Sequence, residues 1–166
     1  MARKVLGVSV AAITLAAVLL TLGSSVALAQ VVASATGSGH FHVSGDLRTF
    51  TFNANTDSSG VTTGQTQGFN RNAGVKWHGT LNCLNVVGNV ATMSGVVTDI
   101  TPGLGDPFLV GNFIVFQVID DGQGQNAPPD LISLTFFFPA GSPNPGCTGF
   151  GIFATIPIEL GNVTVH

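Results

Sequence analysis

The chain predicts an all-β fold, and three observations carry that prediction. Apolar residues recur at every second position in several stretches, and no stretch beyond residue 30 sustains a helical period. Clusters of glycine, asparagine and proline separate those stretches at the 8 to 12 residue spacing of small sandwiches and barrels. The expected architecture is a single antiparallel β-sandwich of about eight strands, preceded by an N-terminal signal peptide helix. A closed eight-stranded β-barrel is the alternative, because alternation does not reveal pairing order.

The signal peptide is the first element. Arg3 and Lys4 precede an apolar run over residues 5–22, Gly23, Ser24 and Ser25 then break the helix, and Ala27-Leu28-Ala29 offers small residues to a signal peptidase. Cleavage is expected between Ala29 and Gln30. This divides the chain into residues 1–29, removed, and residues 30–166, one all-β extracellular domain. A retained anchor is the rival reading, since 18 residues approach the roughly 20 that span a bilayer. No cysteine lies near the cut and Arg3-Lys4 is not a twin-arginine pair, so general secretion without lipidation is expected.

The strands follow in order. His40-Phe41-His42-Val43 alternates, as does Thr49-Phe50-Thr51-Phe52-Asn53-Ala54, which puts Phe50, Phe52 and Ala54 on a core face. Residues 55–68 are polar and small apart from Val61, which reads as an exposed loop. From Val75 the pattern resumes, with Trp77, Leu81 and Cys83 on one face, and it slips near Leu84, predicting a bulge. Val87-Gly88-Asn89-Val90 predicts a two-residue hairpin, because Gly and Asn tolerate positive φ. The returning strand passes through Ala91, Met93 and Val97 to a turn-rich crossover at residues 101–109. Residues 108–119 read as a central strand, apolar on both faces. A second polar loop, residues 120–130, precedes a strand that places Ile132, Leu134, Phe136 and Phe138 on one face. Pro157 interrupts an apolar stretch and belongs at an edge, a bulge or a junction; residues 162–166 form a short last strand.

Charge excludes some functions. Residues 30–166 carry Arg48, Arg71 and Lys76 against seven aspartates and Glu159, a formal charge of −5. Three scattered cations cannot neutralise a run of phosphates, so no nucleic acid is expected, and no membrane after signal cleavage. Cys83 and Cys147 are the only cysteines, and an even pair in an exported protein predicts a disulfide.

The candidate chemical residues are few. His40 and His42 project from one face of a strand and, with His78 or His166, offer nitrogen ligands to zinc or copper; the plainer reading is that they solvate an outer face. Asp120, Asp121 and Asp130 offer oxygens to calcium, although their spacing is not that of an EF-hand, and turn capping explains them equally. No nucleophile motif is present and Glu159 is the only glutamate, so no catalytic residue and no cofactor is expected. Trp77 alternates with the core side and reads as packing.

The segments Gly37-Ser38-Gly39-His40-Phe41, Arg48-Thr49-Phe50-Thr51-Phe52-Asn53-Ala54, Trp77-His78-Gly79-Thr80, Gly88-Asn89-Val90-Ala91, Asp120-Asp121-Gly122-Gln123-Gly124 and Gly161-Asn162-Val163-Thr164-Val165-His166, in that order, resemble an uncharacterised family of bacterial secreted β domains. Its members occur alone after a signal peptide or beside anchoring domains in surface and secreted proteins. The resemblance implies a secreted or cell-surface-associated, non-catalytic structural or interaction module. It would present the loops at residues 55–68 and 120–129 to an unknown extracellular partner. The alternative is a small-molecule carrier with Phe113, Phe116, Phe136 and Phe138 lining an apolar cavity. A hydrolase or metalloenzyme needs the histidines or aspartates above to converge in one cleft. Exposed edges at both termini leave strand pairing with another chain open.

Overall fold

The computed structural model describes residues 30–101, 110–124 and 126–166. The expected signal peptide at residues 1–29 and most of the crossover at residues 101–109 lie outside the described residues.

Ten antiparallel strands are present among the described residues: β1 (Val31–Val43), β2 (Asp46–Asp57), β3 (Thr62–Asn70), β4 (Val75–Val87), β5 (Val90–Ile100), β6 (Phe113–Ile119), β7 (Leu131–Ser133), β8 (Phe136–Phe138), β9 (Thr155–Pro157) and β10 (Leu160–Val165). The all-β class holds, with ten strands where about eight were expected. They form one sheet in the order β10-β1-β2-β3-β4-β5-β6-β7-β9, with β8 also on β6. This sheet curls into a half-barrel, where two facing sheets were expected. Among the described residues no helix is long and apolar enough to cross a membrane.

One strand runs where a loop was expected, and another begins before its alternation does. Residues 62–68 belong to β3, and β1 begins at Val31, well before His40. The inward positions of β3 are Thr62, Gly64, Thr66 and Gly68, and those of β1 before His40 include Gly37 and Gly39, so neither β3 nor the first part of β1 shows apolar alternation. Small residues are required there. A Cβ on Gly68 would run into the Trp77 ring, and one on Gly37 would come within 2.8 Å of Phe52. Register makes this a pattern: Gly39, Phe50, Gly68 and Trp77 stand side by side on β1 to β4. Trp77 covers Gly68 and, one inward row along, Phe52 covers Gly37, the small–large complement that fills a tapered barrel interior.

The curl is closed inside by aromatic contacts. Phe41, Phe50 and Phe52 follow one another at 6.0 Å, and Phe52 meets Phe116 of β6 edge-on at 5.6 Å, joining strands that are not neighbours in the sheet. Leu81, Met93, Val97, Ile114 and Val118 complete the core. The Val87 to Val90 hairpin forms as expected, with Gly88 at φ 62°. The expected bulge lies between Leu81 and Cys83, slightly earlier than Leu84, and returns Leu84 and Val86 to the core side.

A second irregularity corrects the reading of the phenylalanines. Val118 pairs Ile132, but Ile114 pairs Phe137, so the partner strand slips by one residue at Leu134-Thr135. A one-residue slip inverts every later side chain. Phe137 therefore joins the core while Phe136 is 46% exposed. Of the four phenylalanines expected to line a cavity, only Phe116 lies in the core cluster.

Strands β5 and β6 are buried on both faces. Their outer face, with Thr92, Ser94 and Gln117, is covered by the segment at residues 140–153. Cys83 and Cys147 form the expected disulfide and tether this segment to β4. Gln117, 2% exposed, clamps it further: its side-chain amide donates to Thr92 Oγ1 at 3.0 Å and Gly151 O at 2.9 Å, and its Oε1 accepts from Phe153 N at 2.8 Å.

Candidate functional site

The aspartates predicted for calcium sit at the seam of the half-barrel. Pro157 ends β9 at one edge of the sheet, and Ile158 and Glu159 carry the chain to β10 at the other, the junction role expected for this proline. The free edge of β10 then needs acceptors for amides that no strand pairs. Asp130 Oδ2 accepts from Val163 N at 2.7 Å and Asp120 Oδ2 from Val165 N at 3.0 Å. Two carboxylates thus satisfy alternate amides where a further strand would lie. Their other oxygens are also engaged, Asp130 Oδ1 by Asp121 N and Asp120 Oδ1 by Gly122 N, both at 3.0 Å. Asp121 Oδ1 accepts weakly from Asn89 at 3.4 Å.

The histidines are not brought together. His42 is exposed on β1 and its Nδ1 lies 2.8 Å from Glu159 Oε2. His40 shares that outer face. His78 lies on β4, three strands away, which at strand spacing is about 14 Å. It lines a shallow polar groove with Thr51, Asn53, Gln65 and Gln67. Hydrogen bonding from His42 holds the Glu159 carboxyl below its ordinary range, against a smaller opposing effect of desolvation. Among the described residues no three His, Cys, Asp or Glu side chains converge as a metal site.

The concave face holds a cavity of about 320 Å³. Its walls are Phe41, Phe50, Phe52, Trp77, Phe116 and Phe137, with Ile132 and Leu134 on the β7–β8 side. The slip at Leu134-Thr135 shapes it, since β7 and β8 contact β6 in two short pieces and leave the inner face of β2 to β4 uncovered between them. Trp77 packs edge-on to Phe137 at 5.5 Å, so the residue expected to be plain core is also a cavity wall. At the rim stand Arg48, Thr49, Gln67 and Asn70. Arg48 continues the inward row of Phe50 and Phe52 and pairs across strands with Phe41 and Asn70.

The chain matches no protein-family model, no curated protein and no solved structure. A volume of about 320 Å³ is about twice the ~150 Å³ cavity that takes up one benzene molecule. Aromatic walls with a few polar groups at the rim suit a small molecule with an apolar body. Sequence reasoning offered a cavity lined by Phe113, Phe116, Phe136 and Phe138, of which only Phe116 lines this one, because the lining depends on which of Phe136 and Phe137 turns inward. The available signal was the inward Arg48 in the row Arg48-x-Phe50-x-Phe52.

Proposed function

We propose that this protein is a secreted, non-catalytic binding module that takes a small molecule with an apolar body into the concave face of its curled sheet. The aromatic cavity carries this reading. Core aromatics normally fill their own space; here six rings surround a volume they leave open. The disulfide supports an extracellular setting, because such bonds persist in oxidising compartments. The resemblance to secreted bacterial β domains supports the same setting and a role in interaction. Loop presentation to a macromolecular partner has less support, since residues 62–68 are in β3 and the carboxylates of Asp120 and Asp130 hold the seam. In barrel terms, the seam between β10 and residues 120–130 substitutes side chains for backbone pairing and leaves the fold short of a closed barrel.

Trp77 is the only tryptophan and forms a wall of the cavity, so its fluorescence reports occupancy. Titration of residues 30–166 with 8-bromo-1-octanol is expected to quench Trp77 saturably, because bromine quenches an indole it touches. Leu134→Phe, which crowds the cavity, is expected to weaken the effect. Quenching that rises linearly, as for free tryptophan in solution, would overturn the reading.

A further inference from the structure

We infer that the cavity is specific for carboxylates, with Arg48 as the residue that selects an anionic head group on an apolar body. The inference rests on the binding role proposed above and adds the chemistry of the ligand. Arg48 is one of three Arg or Lys residues beyond residue 29, and it sits at the rim of the aromatic cavity. Strand alternation places it on the same face as Phe50 and Phe52. Its Nε is shielded from solvent and, among the described residues, has no hydrogen-bond partner.

A guanidinium in that position normally has an acceptor. Buried charged donors are costly unless paired, and arginine stays protonated at any pH a protein tolerates. Among the described residues the ion pair formed is His42 with Glu159, on the outer face. Asp46, two residues before Arg48 on β2, accepts instead from Asn70 Nδ2 at 2.9 Å. The rim thus holds a cation with no carboxylate partner among the described residues, beside walls that accept only apolar groups.

A carboxylate fits this arrangement better than other anions. It matches the guanidinium fork with two parallel hydrogen bonds, and its single charge equals that of one arginine. A polyanion would need further cations, and the domain's formal charge of −5 opposes its approach. The cavity volume limits the body to about two aromatic rings or a medium-length alkyl chain.

The test compares octanoate with 1-octanol at pH 7, by calorimetry and by Trp77 fluorescence, on residues 30–166 with the disulfide intact. Octanoate is expected to bind at least about tenfold more tightly. Arg48→Met is expected to remove that preference, bringing the affinity for octanoate down to that for octanol, and Arg48→Lys to restore it in part. Equal affinities in the parent protein would overturn the carboxylate inference and leave the binding reading standing. Absence of binding by either compound, together with no saturable quenching by 8-bromo-1-octanol, would overturn both. The comparison within the parent protein decides the matter even where Arg48→Met does not fold.

Discussion

Asp130 is 6% exposed, and its carboxylate accepts from Val163 N and Asp121 N while its own carbonyl accepts from Ile158 N at 2.8 Å. Truncation to alanine leaves the Val163 amide buried without an acceptor, a loss of about 1–3 kcal/mol. Asp130→Ala should therefore lower the urea midpoint clearly, and Asp130→Asn, which keeps one acceptor oxygen, should lower it less. Because the oxygens of Asp120 and Asp130 already face amides, added calcium is expected to leave the melting temperature unchanged; a rise would show that the loop rearranges around the ion. Glu159 gives a pH prediction of opposite origin. Its carboxyl titrates below the ordinary value because His42 bonds the charged form. A group whose folded-state pKa is depressed adds stability above its unfolded pKa and loses it as pH falls through the folded one. Asp57 behaves likewise through Ser59 and Val61 at the β2–β3 turn. Melting curves of Glu159→Gln should therefore show a shallower decline below about pH 4.5 than the parent, with little difference above pH 6 beyond a constant offset.

Strand β3 illustrates what could and could not be read from sequence. Strands β2, β4 and β5 were legible because their inward residues are large and apolar against polar neighbours. The hairpin at Gly88-Asn89, the bulge before Leu84, the edge position of Pro157 and the disulfide were legible from local chemistry. Strand β3 was not, because its inward Gly64, Thr66 and Gly68 are complementary to Trp77, Phe52 and Ala54 on other strands, and complementarity does not show in one segment's composition. The same reason hid most of the cavity's lining, which comes from β1 to β4 and β6 to β8. A prediction follows at Gly68. Any Cβ there meets the Trp77 ring, so Gly68→Ala forces the indole to move, and overpacking of this kind costs about 1–3 kcal/mol. Because Trp77 forms the cavity wall, the variant should also shift the Trp77 emission maximum in the native state, which a glycine that merely loosens the backbone would not do. The disulfide acts at the same scale. It joins residues 64 apart, for which the chain-entropy model gives about 4 kcal/mol. Reduction should release residues 140–153 before the rest of the sheet, seen as new proteolytic cleavage there at denaturant concentrations where the sheet persists.

Across the whole molecule, stability is expected to be graded around the curl. Strands β4 and β5 are paired on both sides by long ladders, β6 pairs β5 along its whole length, and β5 and β6 are covered on both faces, by the aromatic core within and by residues 140–153 without. Strand β10 is different. It pairs β1 over Ala35 to His40, while its other edge rests on two aspartate side chains and on Gln123, which donates to Asn162 Oδ1 at 3.0 Å. Its residues Leu160, Gly161 and Asn162 are exposed, and Val163 is the fully buried one. Local opening has a free energy set by the burial and hydrogen bonds it breaks, so a strand held by one ladder and a few side chains opens well below the global value. Native-state hydrogen exchange should accordingly find the slowest amides in β4 to β6, exchanging only by global unfolding, with Val163 and Val165 exchanging by a smaller opening. Asp130→Asn should accelerate exchange at Val163 and Val165 by more than at Val115 or Met93. Equal acceleration at all four would mean that the seam and the central strands open as one unit. The curl would then depend on those carboxylates throughout, and a ligand held between β2 and β8 would protect every strand alike.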